Sequence, residues 1–202
     1  MRASIIAAAA FAIGAFAAPG LTRRDDDDQW CMTDAEATQV ANNFKTLISD
    51  YSNATAERVL CTSFTDYSDS VIELINNGCY NGPVPLGSPT FTSRSTFEAG
   101  QGSQPNIPFE ILKTWNACDA VTIRWRTSTP GFVQPEQQVT GIIVAEVVRA
   151  SGPERKSSTT IPCISLANFL PAWLIETVYS EFNSGAWLVD LDLVKTNCTA
   201  SA

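Results

Sequence analysis

The chain has 202 residues, with 21 acidic side chains against 13 basic ones, no histidine, and a formal charge of -8. Such an acidic surface repels nucleic-acid phosphates and anionic membranes, so neither is an expected partner. The missing histidine removes the usual proton carrier near neutral pH and every Ser-His-Asp or Cys-His nucleophile arrangement.

Residues 1–18 read as a secretory signal peptide. Arg2 supplies the charged start, Ile5–Phe16 an apolar run too short to span a bilayer, and Ala15-Phe16-Ala17 the small-x-small cleavage pattern. Residues 19–30 read as a pro-segment or linker. Arg23-Arg24 ahead of Asp25-Asp26-Asp27-Asp28 is either a dibasic processing site or a solvated charged stretch. Loss of Arg2, Arg23 and Arg24 leaves 10 basic residues against 21 acidic ones, a net charge of about -11. The mature length suits one domain, taken here as residues 31–198. Its apolar stretches are of strand length and its end is polar, so no transmembrane helix or lipid anchor is expected.

Thr33-Asp34-Ala35-Glu36 is a capping box, in which the Thr33 hydroxyl and the Glu36 carboxylate each satisfy a free backbone N–H. Ala37, Val40, Ala41, Phe44, Leu47, Ile48 and Tyr51 follow as one apolar stripe at helical spacing, ending near Ser52-Asn53. Ala54–Leu60 makes a second short helix and Ser93–Gln101 a third. Phe109–Ala117, Ala120–Thr127, Val139–Val148, Trp173–Phe182 and Ala186–Leu191 are rich in β-branched and aromatic residues and read as strands. Turn signals separate them at Cys118-Asp119, Thr129-Pro130-Gly131 and Asn183-Ser184-Gly185. Helices first and long strands later is an α+β pattern. Arg149–Pro171 interrupts it with Ser151-Gly152-Pro153 and a Ser/Thr run, a loop longer than compact domains usually carry. It reads either as a functional loop or as a translated intron; in the second case Cys163 would not belong to the protein.

The cysteines are Cys31, Cys61, Cys79, Cys118, Cys163 and Cys198. In an oxidising compartment Cys31, Cys61, Cys79, Cys118 and Cys198 are disulfide candidates, with connectivity that sequence cannot choose. No CxxC or Cys/His cluster exists, so no metal site is expected. Gly100-Gln101-Gly102 lacks the strand-to-helix context of a phosphate loop, and no cofactor is expected. Asn53-Ala54-Thr55 is a glycosylation acceptor, and Asn197-Cys198-Thr199 a weaker one.

Several stretches resemble a family of small secreted fungal proteins that carry a nuclear transport factor 2-like domain, within the SnoaL-like and ketosteroid isomerase-like superfamily. They are CMTDAEATQVANNFKTLISDYS from Cys31, FTDYSDSVIELINNGC from Phe64, PLGSPTFTSRSTFEAGQGSQPNIPFE from Pro85, VTIRWRT from Val121 and WLIETVYSEFNSGAWLVDL from Trp173. Arg149–Pro171 departs from the family pattern. The resemblance implies a cone: a strongly bent antiparallel sheet wrapped around N-terminal helices, with a pocket at the wide end. It assigns no reaction, because the superfamily holds isomerases, dehydratases, cyclases and non-catalytic binders.

Without histidine, proton transfer on this fold falls to carboxylates and tyrosines. Asp66, Tyr67 and Asp69, expected after the second helix, and Tyr179 are the candidate catalytic residues; Trp115, Arg124 and Glu181 are the candidate ligand-binding ones. Alternation places Tyr179 and Glu181 on one face of their strand. The structural alternatives are turn and helix capping for Asp66 and Asp69, core packing for Tyr179 and Trp115, and a cross-strand ion pair of Arg124 with Glu181. The expected protein is an extracellular monomer or homodimer binding a small hydrophobic molecule. A cofactor-free isomerase, dehydratase or cyclase, or a protein-interaction module on the open sheet face, are the alternatives.

Overall fold

The computed structural model describes residues 31–128, 133, 135–150, 163 and 171–195. Residues 1–18, read as a signal peptide, residues 19–30, read as a pro-segment or linker, Asn197, Cys198 and most of Arg149–Pro171 lie outside the described residues.

The first helix forms as its capping box dictates. α1 (Asp34–Ser49) starts at Thr33, whose hydroxyl accepts from the Glu36 amide while the Glu36 carboxylate accepts from the Thr33 amide at 2.8 Å. Ala37, Val40, Ala41, Phe44 and Leu47 are buried along one face, and Ile48 and Tyr51 pack half-buried at its end. α2 (Asn53–Val59) follows, capped by Ser52.

The next stretch differs from the expected one. Asp66 does not follow a helix directly: Leu60–Tyr67 is a strand, β1, and α3 (Asp69–Ile75) comes after it. β1 alternates from Phe64 onward, with Phe64 and Asp66 buried and Thr65 and Tyr67 half-buried. α4 (Arg94–Gln101) is capped by Ser93, buries Phe97, and carries an Arg94–Glu98 ion pair at 3.4 Å.

β2 (Glu110–Asn116), β3 (Ala120–Thr127), β4 (Val139–Arg149) and β5 (Trp173–Phe182) complete the sheet, in the order β1-β5-β4-β3-β2. Four strands are antiparallel in sequence, and β1 joins the edge of β5 in parallel, a departure from the wholly antiparallel expectation. Register shifts interrupt β1–β5, β2–β3 and β4–β5. Such irregularities increase local twist and bend a sheet. α1 packs against β2, β3 and β5 on the inner face. Strand alternation then separates an inner set, including Val121, Ile123, Trp125, Ile143, Ala145 and Val178, from an outer one.

Ala186–Leu191 is not a strand. It lies within α5 (Ser184–Asp190) and its C-cap, with the Asn183 side chain accepting from the Ala186 amide at 3.1 Å. The residues read as a turn are the start of this helix, and a short apolar run cannot by itself tell strand from helix. Fully buried Asp190 ends it, its Oδ1 accepting from the Gln137 amide at 2.8 Å and tying the segment before β4 to α5.

Cys31 is bonded to Cys118, fixing the start of α1 to the β2–β3 turn, where the Met32 amide also donates to the Cys118 carbonyl at 3.1 Å. Cys61 is bonded to Cys163, so the cysteine excluded from the expected set is a buried partner, packed with Leu174. Among the described residues Cys79 is free and exposed.

Candidate functional site

Asp66 is the buried carboxylic acid of the inner face. β1 ends beside β5, with Asp66 opposite Val178, and its backbone is fixed by the loop before α4. The Asp66 amide donates to the Phe91 carbonyl at 2.9 Å, and the Thr90 amide donates to the Asp66 carbonyl at 2.8 Å. The residue is 5 % exposed, and its Oδ1 has no hydrogen-bond partner among the described residues. Burial, and then the negative charge of Glu181, push its pKa from 3.8 up to about 7. That value lies in the range where a histidine ordinarily titrates.

Aromatic side chains lie on the same face farther along the strands: Asp66 shares a row with Val178, Ala145 and Val121, and Trp125 shares the row of Gly141 and Phe182, four residues on. Trp125 on β3 stacks on Phe109 at 4.7 Å and meets the edge of Phe182 at 5.7 Å, and Phe182 meets Trp187 of α5 at 5.2 Å. Gly141 on β4 makes room for the indole: a Cβ there would lie 2.8 Å from Trp125 Nε1 and 2.6 Å from the Glu181 carbonyl. Phe91, bridged to Asp66, contacts Phe97 at 5.4 Å. Ile48, Tyr51, Phe91, Ile111, Phe182 and Trp187 are only half-buried against the core, so an apolar surface continues outward from the fully buried centre. Trp125 Nε1 and Thr127 Oγ1 are buried donors without partners among the described residues. Among the described residues no cluster of His, Cys, Asp or Glu suits a metal ion.

The other expected site residues lie elsewhere. Tyr67 and Tyr179 face outward from β1 and β5, stacked on each other at 5.4 Å, and Tyr179 is 44 % exposed. Neither shares a face with Asp66, and Tyr179 is not core. Trp115 is likewise outward and 48 % exposed, contrary to the core-packing alternative. Asp69 is exposed in the first turn of α3, where its Oδ1 accepts from the Gly87 amide at 2.6 Å; Ser68, not an aspartate, caps the helix. Glu181 forms no ion pair with Arg124. Its carboxylate accepts from the Asp69 and Ser70 amides, both at 3.0 Å, and from the Ser70 hydroxyl, filling the free N–H groups at the start of α3. Arg124 sits two strands away, with Ile142 between them.

The NTF2-like domain family matches residues 30–193. The chain belongs to that family. No curated protein matches the sequence. Solved structures similar to this NTF2-like chain include a hypothetical protein with a ketosteroid isomerase-like fold from Catenulispora acidiphila in complex with trimethylamine. It is 11% identical, covering 77% of this chain and 94% of that one, with a TM-score of 0.48. An NTF2-like protein of unknown function from Mesorhizobium loti is 14% identical, covering 78% and 96%, with a TM-score of 0.44. A SnoaL-like protein of unknown function from Burkholderia thailandensis is 13% identical, covering 75% and 98%, with a TM-score of 0.43.

Phe91, Phe182 and Trp187 were not among the expected site residues. The signal for Phe182 was present, since alternation from Val178 through Ser180 carries it to the inner face. Phe91 lies in a loop and Trp187 in a helix read as a strand, so neither had a local signal.

Proposed function

We propose that this chain is a secreted NTF2-like domain that binds a small, largely apolar molecule along the inner face, with Asp66 as its polar contact. The observation that carries the reading is the buried Asp66 carboxyl, with Oδ1 unpartnered among the described residues, on the face that also holds Trp125, Phe182 and Phe91. Burying a carboxyl oxygen without a partner costs free energy that a bound carbonyl, hydroxyl or amine would relieve. The test is a tryptophan-fluorescence titration with small apolar carbonyl compounds, hydroxyl compounds and amines, run on the wild type and Asp66→Asn. Saturable quenching that weakens at least about tenfold in the variant supports the reading, the size of one hydrogen bond to a buried acid. No saturable response across the panel, with a native mass spectrum free of any adduct, would overturn it.

One observation favours a second reading, a cofactor-free isomerase, dehydratase or cyclase: an acid titrating near 7 can both take and return a proton. Tyr67 and Tyr179 supply no help from the outer face, which leaves Asp66 as the proton carrier and the Trp125 N–H and Ser180 hydroxyl as inner-face donors. Exchange of substrate α-hydrogens in deuterated water, lost in Asp66→Asn, would mark this activity.

Secretion rests on the leader pattern of residues 1–18 and on the two disulfides. Asn53 is exposed at the start of α2, its Oδ1 accepting from the Tyr51 hydroxyl at 2.8 Å, which leaves the amide nitrogen open to a glycan. Two bonded pairs leave Cys79 and Cys198 for a third. A Cβ at Gly78 would lie 3.4 Å from Val194, four residues before Cys198 in the sequence. The mass of the protein secreted by its own host tests all of this together: cleaved leader, glycan, six thiols lost to three bridges, and residues 149–171 present. Two free thiols would remove the third bridge, and a mass short by that segment would identify it as intron-derived.

A further inference from the structure

Cys31 is bonded to Cys118 in the turn between β2 and β3, and the Met32 amide donates to the Cys118 carbonyl at 3.1 Å. The chain therefore enters the domain beside the end of β2. That strand is the outermost of the sheet, and on the side away from β3 its backbone groups have no backbone partner among the described residues. Its register with β3 shifts at Leu112, and both Leu112 and Trp115 are exposed. Open strand edges are templates for unwanted pairing, and stable proteins cover or guard them.

Charge identifies what covers this one. Lys113, Arg124 and Arg126 lie together on β2 and β3, in a chain whose net charge is -8. Arg126 is paired with Glu110 at 2.6 Å. Lys113 and Arg124 are register partners, both exposed, and neither has an ion-pair partner among the described residues. The segment just before Cys31 carries Asp25-Asp26-Asp27-Asp28, the densest acidic run in the sequence. Cleavage at the end of the leader or after Arg24 leaves all four aspartates attached. Their reach fits the basic pair. Asp28 is three residues from Cys31 and Asp25 is six, spans of at most about 10 and 20 Å in extended chain. Lys113 lies five residues back from Cys118 along β2, about 17 Å at strand spacing. Laid along β2, the run therefore brackets Lys113, with Arg124 beside it. Aspartates are poor strand formers and the register shift breaks the ladder, so the contact is made by side chains and not by a sixth strand.

We propose that Asp25–Asp28 form an intramolecular acidic strap along β2, held by Lys113 and Arg124. Exposed ion pairs are individually weak, so the short tether and the excess of four acids over two bases hold the strap, and salt loosens it. Carbodiimide coupling of the secreted chain, disulfides intact, tests this by peptide mass spectrometry. The reagent joins a carboxylate to a lysine amine, with net loss of water, only where the two groups touch. An equimolar mixture of nitrogen-15-labelled and unlabelled chains tells links within one chain from links between two. The expected product joins Lys113 to the Asp25–Asp28 run within one chain at about 10 mM salt, at a yield at least about threefold above that at about 0.5 M salt. Lys195 is the internal reference and is expected to link to the run at least about threefold less than Lys113. No link at Lys113, equal links at Lys195, or links only between labelled and unlabelled chains would overturn the proposal. So would a Lys113 yield indifferent to salt.

Discussion

The two faces of this sheet are made by the same strands and differ in almost every physical respect. The inner face is closed over by α1 and buries Val121, Ile123, Trp125 and Val178 around one carboxylic acid. The outer face leaves Trp115, Ile142 and Tyr179 roughly half in water, with Lys113 and Arg124 among them. Neighbouring residues in a strand therefore have opposite fates: Asp66 is buried and raised in pKa, while Tyr67 is stacked outside. Proximity in sequence, as in Asp66-Tyr67 or Trp125 beside Arg124, argues against a shared site in a strand, because the period is two.

Aromatic truncation should separate the faces most strongly. Trp125→Ala removes an indole stacked on Phe109 and wedged over Gly141, and is expected to cost about 3–5 kcal/mol in chemical denaturation. Trp115→Ala on the outer face should cost less than about 1 kcal/mol to the monomer. Equal losses at the two positions would break the comparison.

Next comes the pH dependence of Asp66. Its folded pKa is raised, so the protonated acid is accommodated at no titration cost below the unfolded value of 3.8, and stability falls as pH rises to about 7. The gap amounts to about 4 kcal/mol above pH 7. Asp66→Asn should therefore be more stable than the wild type at pH 8, by up to that amount, and nearly equal to it at pH 4. A variant that tracks the wild type at both pH values would mean that Asp66 is not desolvated.

Glu181 connects the faces, and its effect is smaller. Glu181→Ala strips the carboxylate from two amides of α3 and should cost about 1 kcal/mol. Because burial is the larger cause and the Glu181 charge the second, the same change should lower the Asp66 pKa without returning it to 3.8. Thr33→Ala, which removes the α1 cap, should cost about 1 kcal/mol with no effect on Asp66.

The sequence was most legible where one periodicity ran long enough to stand alone. The Thr33 capping box and the stripe from Ala37 to Leu47 locate α1, and the boundaries of β3 and β5 follow from runs of β-branched and aromatic residues. β1 was missed because Thr62, Ser63 and Asp66 dilute its apolar signal and its partner, β5, lies more than a hundred residues away. α5 was mistaken for a strand because Ala186–Leu191 spans too few residues to establish a period. Of the candidate site, Asp66 could be named from its residue type. Its isolation from Tyr67 and Tyr179, its lack of a partner, and the aromatic surface supplied by Phe91, Phe182 and Trp187 depend on tertiary packing.

The claim on which the account stands is that Asp66 is a desolvated acid on the inner face. Carbon-13 NMR titration of the Asp66 side-chain carboxyl measures it directly, with Asp66→Asn assigning the signal. The account predicts a midpoint near 7. A midpoint near 4, the ordinary value for a solvated aspartate, would contradict it.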